Sequence, residues 1–337
     1  MTLRSASGIV QIKARTPTKL SIPPRPRVLA LGSTTEYNYQ ALAVDVPESL
    51  EPESMPERIC SLVWTERSHA EAGFQGGTMW QPDGWGARAR IGILMPHFDI
   101  GPEAEFQAMA PDGVTIHSTR VPLGVTMPAG AMDPGIALAP VRAFAEPPLI
   151  DDAAELLAAA PLHGIVYGFA SSSYLLGAAG DRALKARLEK RTGAIPVVIP
   201  GIAALLALRA LGVRRLALVD PPWFSAELNQ MGAKYFRSQQ IEVVHASSAA
   251  LPKGQLDIHP GQLYGWARAN VPAAAEAVFI NGNGFRAVGT IQALEEDLAR
   301  PVLTANQVSF WNALRYAGVH APVMHYGRIF AEPLPAG

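Results

Sequence analysis

Cysteine is almost absent from this chain: Cys60 is the only one in 337 residues. A lone thiol cannot form a disulfide within the chain or supply a cysteine-rich zinc site, so neither device is expected to hold the fold. Net charge is missing as well. Lys and Arg number 28 against 29 Asp and Glu, for a formal charge of −1 and a pI of about 6.7. With no basic stripe, neither nucleic acid nor an anionic membrane is the expected partner. Uninterrupted apolar runs are missing too. The longest, Ile195–Val213, is broken by Pro196, Pro200 and Arg209 and reads as a strand, a turn and a buried helix; no membrane-spanning segment is predicted.

What remains in quantity is core material, 49% of the residues being hydrophobic. That suffices for a large buried interior, and a small-molecule ligand in a cytoplasmic protein is the expectation. Before Glu36 there is no acidic residue, while Arg4, Lys13, Arg15, Lys19, Arg25 and Arg27 stand among Ser, Thr and Pro. This composition lacks a secretory apolar core and is read as a flexible tail. Residues 1–88 together read as an irregular extension, with short strands at Arg27–Leu31 and Ile59–Trp64.

From Arg88 the texture changes to alternating strand and helix signals. Strands are predicted at Arg90–Pro96, Val114–Ser118, Ile165–Gly168 and Pro196–Ile199, with helices at Ile150–Ala159 and Tyr174–Arg191. Arg214–Pro221 then repeats the texture of Arg88–Pro96, and Ala277–Gly284 repeats that of Gly164–Ser173. Runs apolar on both faces belong to parallel sheets covered by helices. The repetition predicts an α/β fold of two duplicated doubly wound lobes, each delivering strand C-termini to a shared cleft. The predicted division is 1–88 as extension, 89–200 with 300–337 as first lobe, and 201–299 as second. Pro301–Asn306 is predicted as a strand and Phe310–Ala317 as a helix, both returning to the first lobe.

The residues with chemistry in them lie at those strand ends. Ser171, Ser172 and Ser173 follow the strand at Gly164, where hydroxyls and free N–H groups converge as a cradle for a carboxylate or phosphate, or where one serine simply caps the helix. Asn281-Gly282-Asn283-Gly284 occupies the equivalent point of the second lobe, either as oxyanion donors or as a tight turn. It is no dinucleotide fingerprint, since the third glycine is not at the required step. His97 and Asp99 follow the first strand of one lobe, and Asp220 with Trp223 the first strand of the other. A carboxylate from each lobe can serve as an acid and base pair, or can cap the next helix. His97-x-Asp99 also admits a metal, but no third ligand is identified. His117, His245, His259 and His325 stand outside any motif and read as structural or surface residues.

At these residues the chain resembles the aspartate/glutamate racemase superfamily, and within it the maleate isomerase and arylmalonate decarboxylase branch. The likeness runs from about Arg90 to Phe330. It is carried by RIGILMPHFDIGPEAE (Arg90–Glu105), TGAIPVVIPGIAALLALRALGVRRLALV (Thr192–Val219) and PVLTANQVSFWNALRYAG (Pro301–Gly318). The resemblance implies a duplicated two-lobed fold with the site between the lobes, no cofactor, and a homo-oligomer. It also implies a cysteine on either side of the substrate, but those positions fall on Phe169 and Gly282, and both thiols are missing. Ser171 matches the serine of the family's carboxylate loop, while Ala170 replaces its threonine neighbour. The family asparagine of the first loop falls on Asp99, and the substrate-binding tyrosine falls near Trp223.

The resulting expectation is a cofactor-independent lyase or isomerase acting on a small, partly aromatic carboxylic acid. Asp99, His97 or Asp220 would move the proton, Phe169, Ala170 and Trp223 would wall the site, and Ser171, Ser172, Asn281, Gly282 and Asn283 would meet the oxygens. Two alternatives stand beside it: a non-catalytic relative that binds a carboxylate as sensor or accessory subunit, and a metal-assisted hydrolase.

Overall fold

The computed structural model describes residues 84–123 and 135–335, all within the unit Met79–Gly337. The predicted strands at Arg27–Leu31 and Ile59–Trp64, like the rest of the extension up to residue 83, lie outside the described residues.

Two four-stranded sheets are present. The first is built of β1 (Ala89–Pro96), β2 (Val114–Val121), β3 (Gly164–Tyr167) and β4 (Val197–Val198), and the second of β5 (Arg215–Asp220), β6 (Glu242–Ser248), β7 (Ala277–Ile280) and β8 (Val302–Thr304). Their orders are β2-β1-β3-β4 and β6-β5-β7-β8, and every pairing is parallel. The same order in both sheets is the duplication read from the sequence. β3 and β7 are buried along their whole length, as Gly164-Ile-Val-Tyr and Ala277-Val-Phe-Ile require, since strands covered on both faces need apolar residues at every step. The outer strand β6 instead has only Val243 buried, its other residues being exposed or partly exposed. Its sequence, EVVHASS, is accordingly too polar to stand out as a strand.

The helices are α1 (Gly101–Met109), α2 (Leu138–Ala145), α3 (Leu149–Ala158), α4 (Ser171–Arg191), α5 (Pro200–Ala210), α6 (Ala226–Arg237), α7 (Pro260–Asn270), α8 (Ile291–Leu298) and α9 (Ala305–Tyr316). α4 begins three residues earlier than the predicted Tyr174 and breaks at Gly177 (φ 68°, ψ 172°). α9 is held at its start by a capping box in which the Thr304 hydroxyl accepts from Gln307 N and the Gln307 carboxamide accepts from Thr304 N, both at 3.1 Å. Such reciprocal caps satisfy two otherwise orphaned donors. Residues 305–315 of α9 are buried all round, which is how a helix reads when it packs on both sides.

One predicted placement is corrected. Val302–Thr304 does not return to the first lobe: it pairs with β7 in the second sheet, Val278 beside Val302. Consecutive strands joined by one helical crossover usually lie next to each other, and α8 is that crossover. The helix that follows does reach the first lobe, since α9 packs against α1, α5, β3 and β4 as well as β8. The two lobes thus share one central helix. Among the described residues no helix is long and apolar enough to cross a membrane.

Candidate active site

In a sheet of order 2-1-3-4 the chain reverses direction between the first and third strands, and the loops leaving those strands open a crevice. Here the loops after β1 and β3 form one such crevice and those after β5 and β7 the other. A cavity of about 30 Å³ lies where the two meet, room for roughly two water molecules. Its lining comes from Pro96, Phe98 and Asp99 after β1, Leu123 after β2, and Phe169, Ala170 and Ser171 after β3. The second lobe contributes Trp223 and Phe224 after β5, and Gly282, Asn283 and Gly284 after β7. Ile136 completes the wall, and its N–H donates to the Trp223 carbonyl at 3.0 Å.

Most of these side chains are apolar, and two polar groups stand out. Asp99 is only 4% exposed. Its Oδ1 accepts from Gly101 N at 2.9 Å and from Gln255 Nε2 at 2.6 Å. Its Oδ2 accepts nothing from the described residues. Burial pushes this carboxyl above the ordinary carboxylate range, against the opposing pull of Gln255, Gly101 and the Arg120 guanidinium. Desolvation penalises the charged form, so Asp99 keeps its proton to higher pH than a surface aspartate. Ser171 is the second group. It is 3% exposed, and its hydroxyl bonds no described residue.

The three serines have three different surroundings. Ser172 Oγ lies 2.7 Å from the Tyr167 hydroxyl and donates to the Val141 carbonyl at 3.3 Å, and Ser173 Oγ accepts from Gly201 N at 3.2 Å. Neither lines the cavity, and none of the three caps α4 by its side chain. Only Ser171 is left to meet a ligand.

The Asn-Gly-Asn-Gly loop is tied in from the other side. Asn283 Oδ1 accepts from Ala170 N at 2.6 Å, and Asn283 Nδ2 donates to Asn306 Oδ1 at 2.7 Å. Asn283 therefore serves as a strut between the two lobes at the cavity wall. Asn281 is buried beside β5, its N–H donating to the Val219 carbonyl at 2.8 Å, and does not line the cavity.

Of the two aspartates expected as an acid and base pair, only Asp99 reaches the cavity. Asp220 is fully buried, accepts from the Tyr174 hydroxyl at 3.1 Å, and is pushed up to about 8 by burial. Its bond to Tyr174 joins α4 to the second sheet. His97 is exposed; its Nδ1 accepts from Leu123 N at 3.3 Å, outside the cavity lining. Among the described residues no group of three or more His, Cys, Asp or Glu could hold a metal ion.

Two buried residues that brace the loops around the cavity without lining it went unpredicted. Gln255 lies in LPKGQLD, a Pro- and Gly-containing loop with no motif to mark it. Glu105 left a signal: it falls at helical spacing among Pro102, Phe106 and Met109, the buried face of α1, where a carboxylate is out of place unless bonded.

Set against known proteins, residues 146–330 match the family model for arylmalonate decarboxylase. That is more than half of the chain. The chain belongs to the arylmalonate decarboxylase family. Within that family it is 28% identical over 167 residues to the arylmalonate decarboxylase of Bordetella bronchiseptica, spanning 48% of this chain and 68% of that protein. In fold it is similar to the maleate isomerase of Pseudomonas putida S16 with maleate (TM-score 0.62, 22% identity, 72% of this chain and 97% of the other). It is likewise similar to a Nocardia farcinica maleate cis-trans isomerase variant carrying a covalently bound succinylcysteine intermediate (TM-score 0.62, 20% identity, 72% and 98%).

In this member of the arylmalonate decarboxylase family the thiols that the sequence resemblance would set at 169 and 282 are replaced by a packed ring and by a glycine with no room for a Cβ. The Phe169 ring packs 4.6 Å from that of Phe144. Gly282 has φ +91°, and a Cβ there would stand 2.7 Å from Pro221 Cγ. A Gly282→Cys variant is therefore expected to lose about 1–3 kcal/mol of stability, read from the urea unfolding midpoint. An unchanged midpoint would mean that the loop relaxes freely around a side chain.

Proposed function

We propose that this chain catalyses a cofactor-independent isomerase- or decarboxylase-type reaction on a small carboxylic acid with an apolar, aryl-sized substituent, Asp99 carrying the proton. Family membership supports the reaction type. The observation that carries the assignment is the Asp99 carboxyl, which lines the cavity, is raised by burial and is anchored through one oxygen while the other accepts nothing from the described residues.

In this reading Ser171 holds a carboxylate oxygen, and Phe169, Trp223, Phe224 and Leu123 enclose the apolar substituent. In a decarboxylation, the bond from the α-carbon to one carboxylate breaks, CO₂ leaves, and the electron pair is taken up as an enediolate on the carboxylate that remains. The Asp99 carboxyl then gives its proton to the α-carbon and is reprotonated from water. Proton exchange at that carbon would use the same enediolate in both directions. Donors aimed at the developing charge in a dry site supply much of such a rate enhancement. No thiolate is needed for these steps. A cavity of about 30 Å³ does not admit an aryl acid as it stands, so binding requires its wall to move.

The small cavity and the missing thiols favour a second reading, a relative that binds a carboxylate without turning it over. One experiment separates the two: NMR in deuterated buffer with maleate, arylmalonates and aryl-substituted enoic and hydroxy acids, for the wild type and Asp99→Asn. Deuterium incorporation or product formation that disappears in the variant supports catalysis. Saturable binding with neither supports the binding protein.

A further inference from the structure

We infer that Gln255, carried by the second lobe, positions the Asp99 carboxyl of the first, so that the proton carrier is aligned only when the two lobes are closed on each other. This rests on the reading of Asp99 as proton carrier.

Gln255 and Asp99 are 156 positions apart in the chain, yet they form a buried hydrogen bond of 2.6 Å. It crosses from the loop between β6 and α7 to the loop between β1 and α1. The accepting atom, Asp99 Oδ1, already receives Gly101 N at 2.9 Å. One oxygen thus has two donors, one from each lobe. A carboxyl whose one oxygen is occupied by donors carries its proton on the other oxygen, because a proton on the first would meet two N–H groups head-on. That other oxygen, Oδ2, stands 3.0 Å from where a Cβ of Gly284 would be, and Asp99 and Gly284 both line the cavity. Gln255 therefore decides which oxygen bears the proton and which way it points.

The slot for the amide is itself shared between the lobes. A Cβ on Gly101 would stand 3.0 Å from Gln255 Nε2, and one on Gly284 would stand 3.1 Å from it. Any side chain at either position would press on the amide. Both positions are glycine in this chain.

Other charged groups around Asp99 do not duplicate this contact. Arg120 on β2 donates to the Asp99 main-chain oxygen at 2.6 Å and pairs with Glu103 of α1 at 3.0 Å. Glu105, also on α1, is itself raised in part by the charge of Asp99 but does not bond to it. His97 before it, Asp257 on Gln255's own turn, and Arg286 after β7 are exposed. None of these donates to either carboxyl oxygen of Asp99.

The test compares Gln255→Met, which keeps length and removes the donor, with wild type and Asp99→Asn. Two readouts are taken on the full chain: the carboxyl ¹³C titration of Asp99, assigned with Asp99→Asn, and the pH profile of turnover on whichever panel acid reacts. Loss of a donor that favours the ionised form should move the Asp99 midpoint to higher pH. It should lower kcat about 10- to 100-fold with KM little changed, and shift the alkaline limb of the rate profile in step with the midpoint. A merely structural glutamine would leave the midpoint and the limb in place. That result, with Asp99→Asn inactive, overturns the role of Gln255 alone. Full turnover by Asp99→Asn overturns the proton-carrier reading instead, and with it the role of Gln255.

Discussion

Asp99→Asn is expected to lower turnover about 10²- to 10⁴-fold, the usual contribution of a positioned proton donor, while the protein stays folded. The substitution is unusually clean here. The asparagine oxygen can accept from Gly101 N and Gln255 Nε2 as Asp99 Oδ1 does, and its amide then takes the place of Oδ2. The hydrogen bonds survive, and only the transferable proton is lost. Stability should not fall, because burial disfavours the ionised aspartate and asparagine cannot ionise. The sign of the pH dependence follows. A buried acid with a raised pKa donates while protonated, so the wild-type rate should hold below the Asp99 pKa, at pH values where a surface aspartate is already ionised, and drop tenfold for each pH step above it. A wild-type rate that instead rises with pH through this range would make Asp99 a base and reverse its role.

Much of the fold was legible because it is written in repeated apolar runs. Arg214–Pro221 and Ala277–Gly284 copy Arg88–Pro96 and Gly164–Ser173, and the two sheets have the same strand order. Buried parallel strands must be apolar at every position, so β1, β3, β5 and β7 stand out from the sequence. The outer strand β6 and the helices α6, α7 and α8 did not, because half-exposed elements carry no such signature. β8 was recognised as a strand but set in the wrong lobe, since an apolar triplet says nothing about its neighbour.

The cavity lining was legible in the same way. Asp99, Phe169, Ala170, Ser171, Trp223, Gly282 and Asn283 all follow strand ends, and all line the cavity. His97, Ser172, Asp220 and Asn281 lie at or just after the same strand ends but do not line it: Ser172 bonds Tyr167 and Val141, Asp220 bonds Tyr174, and His97 is exposed. Gln255 was beyond reach of any local pattern. Its partner is 156 residues away, and only the closure of two lobes brings them together.

The largest stability effect is expected at a residue that touches no ligand, Glu105. Its Oε1 accepts from Ala287 N at 2.7 Å and Val288 N at 3.1 Å, and its Oε2 accepts from Asn306 Nδ2 at 2.7 Å. Asn306 in turn donates to the Asn283 carbonyl at 2.8 Å. Glu105→Ala strands these donors in the interior between the lobes and should cost roughly 3–6 kcal/mol. Glu105→Gln keeps an acceptor for the two backbone N–H groups but sets its own amide against Asn306, which should cost about 1–3 kcal/mol. Comparing Glu105→Gln with wild type by urea unfolding at pH 5 and pH 8 gives the sign. Burial raises Glu105 from 4.5 to about 7. The native state therefore binds more protons than the unfolded chain between those values, and the contribution is full below the lower one and lost as pH rises through about 7. Across that window the wild type should lose about 3 kcal/mol that the glutamine variant does not. Asp220, raised in the same direction, is present in both proteins and cancels. The stability gap between them should narrow toward pH 8; a gap that widens would mean that Glu105 is ionised throughout and that its three donors outweigh its burial.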